Sequence, residues 1–442
     1  MFKRCEICTN CGRCGSTPAA KKDTAVITSH LRFEGERNPE NSEKRRTENS
    51  EKRNLENSEK RRLVTVDIGT TTIAMQLYDR HGRVTDTYAR LNPQSVYGAD
   101  VLSRIKAAEE RGKAVHMQKL IYSEIQKGTE RFRMLLEEGE TFFFVVVGNT
   151  TMVYLFMGWD PACLGKAPFE ACYLDSFFTT VTTYEYPAFV LMGLSAFVGG
   201  DIVAGAYALR LLQKKELTLL IDLGTNGEMI LGNQDGAIAL STAAGPAFEG
   251  GANRGIWGSD MISLTATLLQ MGILDEDGTL KEPYFQKGIR IGDVLVTQES
   301  VRTLQYAKAA IASGIQILMQ KRDCTAGQIE SVVLAGGFGY FLSPKAATQI
   351  GLLPQKLTSK TVVGGNTALA GAYVLGSELI GNSELIRAMM SELLTKKDEK
   401  AVFAGKLDLQ LFDRTKVEMI NLAMEDNFSE SYISAIQLKP IQ

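Results

Sequence analysis

Asp67-Ile-Gly-Thr-Thr-Thr72 and Asp222-Leu-Gly-Thr-Asn-Gly227 are nearly the same phrase written twice. Each follows an apolar, β-branched run, Leu63-Val-Thr-Val66 in one case and Leu217-Thr-Leu-Leu-Ile221 in the other. An acidic residue, a glycine and hydroxyl or amide side chains therefore stand at the carboxyl end of a strand. Glycine lets the backbone turn tightly and bring its N–H groups against phosphate oxygens. Threonine hydroxyls add donors, and an aspartate holds a divalent cation directly or through water. A third segment, Leu334-Ala-Gly-Gly-Phe-Gly339, also follows a strand-like run, Ser331-Val-Val-Leu334, and its paired glycines admit a flat ring system against the backbone. Two phosphate hairpins and a later adenosine loop describe an ATPase built from two similar halves.

Outward from the hairpins, the periodicity repeats the plan. Ile73–Tyr78 has strand character and His81-Gly82 a turn; Asp100–Ala108 and Ala114–Glu137 have helical spacing. Phe142–Val147, the longest apolar stretch, is a buried strand entering Gly148-Asn-Thr-Thr-Met152. Leu191–Ala208, with Gly199-Gly200-Asp201 inside it, is a loop opening a helix. After the second hairpin come strands at Met229–Leu231 and Ala237–Leu240, turned at Asp235-Gly236. Strands alternating with helices, twice over, predict an α/β fold of mixed sheets covered by helices, with a nucleotide in the cleft between the halves.

Composition narrows the partners. A net charge of −2 over 442 residues gives no electrostatic basis for nucleic acid or an anionic membrane, and no run reaches the length of a spanning helix. The expected compartment is the cytoplasm. Four of the seven cysteines, Cys5, Cys8, Cys11 and Cys14, form a C-x2-C-x2-C-x2-C run. In a cytosolic chain such a run ligates metal; its spacing suits an iron–sulfur cube, [4Fe–4S], better than zinc, which remains the alternative. Cys163, Cys172 and Cys324 are expected to be small buried hydrophobes. From residue 15 to 62 the chain alternates charge, twelve Lys/Arg against nine Asp/Glu, and Glu40-Asn-Ser-Glu-Lys-Arg45 recurs at Glu48–Arg53 and Glu56–Arg61. This is a duplicated polyampholyte linker.

Seven segments in order carry a resemblance. They are Val66–Thr72, Leu91-Asn-Pro-Gln-Ser-Val-Tyr-Gly-Ala-Asp-Val-Leu-Ser-Arg-Ile105, Gly148–Met152, Asp222–Glu228, Ser241–Gly250, Leu334–Gly339 and Gly365-Asn-Thr-Ala-Leu-Ala-Gly-Ala372. Together they closely resemble the C-terminal ATPase domain of the reductive activators of corrinoid proteins, within the acetate and sugar kinase, heat-shock chaperone and actin superfamily (a two-lobed, ribonuclease H-like fold). The resemblance covers roughly residues 63–442. Ahead of it stand the cysteine-rich tip at 1–14 and the linker at 15–62, where some better-known members carry a ferredoxin domain and a further domain. The body is expected to form lobe I at 63–215, lobe II at 216–375 and a helical extension packed on the body at 376–442.

The activity implied is ATP-dependent reduction of a Co(II) corrinoid to Co(I) on a methyltransferase partner, by one electron from an iron–sulfur centre that an upstream donor refills. The comparison leans towards a homodimer. Asp67 and Asp222 are the candidate magnesium-side catalytic carboxylates. Gly69, Thr70, Thr71, Gly224, Thr225 and Asn226 are expected to cradle phosphate, and Gly336, Gly337 and Phe338 to border adenosine. Cys5, Cys8, Cys11 and Cys14 would hold the cluster. Two readings stand for each of five polar residues: Asn149, Asp201 and Glu228 line the cleft or cap turns, Glu249 faces ribose or the corrinoid partner or is structural, and Asp100 faces a partner or caps a helix. Two other classes stay open: an activator feeding a different acceptor, such as a 2-hydroxyacyl-CoA dehydratase, and a nucleotide-gated binding protein with a zinc tip.

Overall fold

Strands form in this chain where β-branched and aromatic residues run together, and they are buried on both faces where a parallel neighbour sits beside them. The computed structural model describes residues 61–183, 185–245, 258–292, 294–336, 342–395, 402–403 and 412–441. Strand β1 (Arg61–Ile68) is buried without a break from Arg62 to Val66. It pairs antiparallel with β2 (Thr72–Tyr78), which pairs with β3 (Val84–Leu91). On its other side β1 lies parallel to β4 (Thr141–Gly148). With β5 (Phe177–Val181) and β6 (Tyr186–Val190) these belong to a seven-stranded sheet. In it β6 runs parallel to β4 and antiparallel to β5.

The second sheet repeats the arrangement. β7 (Thr218–Leu223), β8 (Gly227–Asn233) and β9 (Gly236–Thr242) form an antiparallel meander. A separate two-stranded ribbon pairs β10 (Ile289–Ile291) with β11 (Val294–Val296). β12 (Ser331–Ala335) then adds parallel to β7, and β13 (Thr361–Gly365) adds parallel to β12. Two short strands complete the edges: β14 (Val402–Phe403) joins β5, and β15 (Val417–Met419) joins β9. The orders β3-β2-β1-β4-β6 and β9-β8-β7-β12-β13 are the same meander followed by two parallel additions.

Each half has its own core. In the first, the helix Lys113–Arg133 lays Met117, Ile121 and Ile125 with Val64, Val66 and Met75 of the sheet. In the second, the helix Gln298–Lys321, opened by a Thr297 capping box, packs Ile311 and Ile315 with Met229 and Leu240. The chain divides into two compact units, residues 1–204 with 368–408 and residues 205–367 with 409–442.

Three expectations differ from this. The stretch 376–442 is not one helical extension: its first part belongs to the first unit and its last part to the second, and it contains β14 and β15. Arg61 and Arg62, assigned to the linker, begin β1. Arg62 is buried there, donating through Nε to the Tyr78 carbonyl at 2.7 Å and pairing with Glu140 at 3.3 Å. Cys172 is exposed, while Cys163 and Cys324 are only half-buried. Among the described residues no helix is long and apolar enough to cross a membrane.

Candidate functional site

Both aspartates sit where the phrase predicted, one residue from the end of a central strand. Asp67 is followed by a turn closed by the Gly69 N–H donating to the Thr72 carbonyl at 2.9 Å. The equivalent turn after Asp222 is closed by Gly224 N–H to the Asn226 carbonyl at 3.0 Å. In each unit a glycine stands one residue past the aspartate's register partner on the neighbouring parallel strand. Gly148 follows Val147, the register partner of Asp67, and Gly336 follows Ala335, the partner of Asp222. A Cβ at Gly148 would stand 2.7 Å from the Ile68 carbonyl oxygen. One at Gly336 would stand 2.5 Å from both Asp222 Oδ1 and the Leu223 carbonyl oxygen. Gly336 also has φ of 90°, a conformation that favours glycine. In both units the hairpin strand lies too close at that point for any side chain, so the position is glycine for the same steric reason.

The first hairpin is braced from beneath by one buried cation. Arg104, 1% exposed, lies on the helix Val101–Ala108 and donates to the Thr70 carbonyl at 2.6 Å and the Gly98 carbonyl at 3.1 Å. It also reaches Gln94 Oε1 at 3.4 Å. Asn92, fully buried, donates its amide to the Gly69 carbonyl at 2.9 Å, while its own N–H donates to the Thr71 carbonyl at 2.7 Å. Burying a guanidinium is costly unless its donors are used, and here they are spent on the backbone of the turn. Arg104 and Asn92 lie inside the Leu91–Ile105 segment, whose sequence alone assigns them no role. Their signal was the polar spacing Asn92, Gln94, Arg104 flanking an otherwise ordinary helix start. Asp100 is the N-cap of that helix, accepting from Ser103 N–H at 2.8 Å.

Asn149 is a helix cap that also touches the first hairpin. Its Oδ1 caps the helix Thr150–Met157, accepting from Met152 N–H at 3.0 Å, and its Nδ2 donates to the Thr70 hydroxyl at 2.9 Å. Asp201 stands in the first turn of the helix Gly200–Ala208, accepting from its neighbour Ile202 N–H at 2.9 Å.

The second hairpin carries a feature the first lacks. Glu228 lies directly opposite Asp222 across β7 and β8 and is buried; opposite Asp67 stands Ala74. Opposed residues of an antiparallel pair share one face of the sheet, so two carboxyl groups face the same side at the second hairpin. Thr225 in the turn is buried as well. Gly337, Phe338, Glu249 and the four cysteines at positions 5, 8, 11 and 14 lie outside the described residues.

Repeated meander-plus-parallel sheets, each with an acidic glycine turn at the end of its central strand, define the class of sugar kinase, heat-shock chaperone and actin ATPases. Residues 63–214 match the model of the RACo middle region, and residues 216–254 and 252–441 match that of the C-terminal domain of RACo, the ASKHA domain. The chain belongs to the RACo family. A curated relative, the corrinoid activation enzyme RamQ of Eubacterium limosum, is 29% identical over 426 residues, covering 80% of this chain and 71% of the relative. A solved structure described as a reductive activator for corrinoid, iron-sulfur protein is 28% identical. It superposes with a TM-score of 0.72 and covers 87% of this chain and 67% of that one. The family models meet at residues 214–216, whereas the two compact units part at 204 and 205.

Proposed function

We propose that this protein is an ATP-dependent reductive activator of a corrinoid protein, returning Co(II) to Co(I) by transfer of one electron. The observation that carries the proposal is the membership of both body segments in the RACo family, whose named relatives activate corrinoid proteins. The site chemistry supports the nucleotide half of it. Two carboxyl groups on one face, with the Gly336 backbone packed close against the Asp222 carboxyl group, suit a magnesium–nucleotide, with Asp222 and Glu228 on the cation side. Magnesium would supply charge neutralisation at the phosphates. The N–H groups around Gly224–Asn226 and Gly69–Thr71 orient phosphate oxygens, with Asp67 the first unit's cation-side carboxylate. Arg104, Asn92 and Asn149 hold the first turn still. Gly336, Gly337 and Phe338 border the adenosine. Cys5, Cys8, Cys11 and Cys14 are the proposed ligands of the iron–sulfur centre, which supplies the electron.

The test is anaerobic. The purified protein is mixed with a Co(II) corrinoid protein and a low-potential reductant, and the Co(I) absorption band is followed with and without Mg·ATP. Co(I) that forms only with ATP supports the proposal. ATP turnover with no Co(I) on any corrinoid partner would point instead to another acceptor, such as the 2-hydroxyacyl-CoA dehydratase of the alternative reading.

A further inference from the structure

Away from both hairpins, two cysteine sulfurs lie 3.2 Å apart, Cys172 Sγ–H donating towards Cys163 Sγ. Neither is in a disulfide. Cys163 sits half-buried in the short helix Ala162–Gly165, with its side chain against the first unit's core. Cys172 is exposed nine residues on. The segment beside Cys172 is held in place: Tyr173 N–H donates to the Tyr154 hydroxyl at 2.6 Å, and the Tyr154 hydroxyl donates to the Tyr173 carbonyl at 3.2 Å. The Tyr173 and Trp159 rings pack at a tilt of 36°, with their centroids 4.5 Å apart. Sulfurs this close need a shift of only about 1 Å to reach the ~2.05 Å of a disulfide bond. Among the described residues, no third histidine, cysteine or carboxylate completes a metal-ligand group with them. The hydrogen bond has a chemical consequence. It keeps the proton on Cys172, whose thiol is pushed up in pKa chiefly by this hydrogen bond to Cys163.

We propose that Cys163 and Cys172 form a reversible dithiol–disulfide couple that exchanges with small-molecule disulfides. The Cys163 thiolate attacks one sulfur of an external disulfide RSSR; a Cys163 S–SR bond forms, the RS–SR bond breaks and RS⁻ leaves. Cys172, giving up its proton, then attacks Cys163 Sγ. The protein S–S bond forms as the bond to SR breaks, and a second RS⁻ leaves. The two protons lost by the protein thiols end on the two departing thiolates. The protein is oxidised by two electrons and RSSR is reduced to two RSH. Excess dithiol runs the sequence backwards.

The experiment uses the full chain, reduced, freed of reductant under anaerobic conditions and exposed to oxidised glutathione. Remaining thiols are alkylated in denaturant and the protein is digested with trypsin. Trypsin cuts after Lys166, between the two cysteines, so only a disulfide keeps those fragments together. Expected is a linked pair, the fragment ending at Lys166 joined to the one beginning at Ala167, at least about tenfold more abundant than in the reduced control and lost with dithiothreitol. Alkylation of both cysteines after oxidation, or separate glutathione adducts with no link, would overturn the couple. Cys172→Ser should trap glutathione on Cys163. A faster adduct on Cys172 in Cys163→Ser would overturn the assigned order of attack. The wild-type digest decides the couple even if either variant fails to fold.

Discussion

Arg104 holds the carbonyls of Thr70 and Gly98 with a guanidinium almost wholly out of water. Its replacement by Met would leave the buried Thr70 carbonyl and the half-buried Gly98 carbonyl without this donor, at about 1–3 kcal/mol each. Arg104→Met should therefore lose roughly 2–4 kcal/mol in chemical denaturation, and its ATP turnover should fall with the loosened turn. Lys should not rescue it, because one ammonium cannot replace a planar fork of donors. An unchanged unfolding midpoint in Arg104→Met would sink this account of the hairpin. Asp222→Asn should abolish ATP turnover at wild-type thermal stability; wild-type turnover would remove Asp222 from the site. Gly336→Ala forces a Cβ to within 2.5 Å of Asp222 Oδ1 at a φ of 90°. It should impair nucleotide binding, read by calorimetric titration with Mg·ATP, more than an alanine elsewhere in the turn. At this scale the aspartates and glycines were legible, because turn chemistry is local. Arg104 was not: an arginine on a short helix ordinarily reads as solvated, and only its neighbours across the fold bury it.

The helix Gln298–Lys321 carries a second buried cation with a different job. Lys308 Nζ donates to the carbonyls of Ala435 at 2.5 Å and Gln437 at 2.6 Å, tying the C-terminal segment to the helix. Burial, with the Lys439 charge behind it, lowers this ammonium from its ordinary 10.5 to about 7. Between those values the unfolded chain binds a proton that the folded chain does not. Unfolding therefore takes up a proton, and stability from this group rises with pH through that window, being least below pH 7. The rise is on the order of 5 kcal/mol. Lys308→Met should flatten this slope between pH 7 and 10.5, whatever it does to stability at a single pH. Denaturant titrations at several pH values check it, and an unchanged slope would mean that the folded lysine keeps an ordinary pKa. The expected helical extension does hold the helices Ser383–Thr395 and Phe428–Ala435, but not throughout. Val417-Glu-Met419 becomes a strand because the edge of β9 offers unpaired N–H and C=O groups, and three residues carry no period of their own.

At the scale of the molecule, the last residues are part of the second unit rather than an appendage. A chain ending at residue 408 would lose β15 from the sheet and both carbonyl partners of Lys308. It should lose cooperative unfolding of the second unit while the first keeps its own transition, measured by calorimetry. Two unchanged transitions would contradict the role given to the C-terminus. Removing residues 1–14 should leave ATP turnover intact and abolish Co(I) formation. Co(I) formation at the wild-type rate by that shortened chain would take the electron-donor role away from the four cysteines.

The sequence by itself determined the duplicated α/β plan, the family and the positions of both acidic turns. Those rest on short-range patterns: alternation of β-branched residues, a glycine where the backbone must turn, and an ordered series of motifs. Tertiary structure alone decided which polar side chains brace the turns, that Glu228 stands opposite Asp222, that the C-terminus is shared between two units and that Cys163 meets Cys172. These depend on residues brought together by packing from distant or irregular stretches, where burial and register are set by partners that no local window contains.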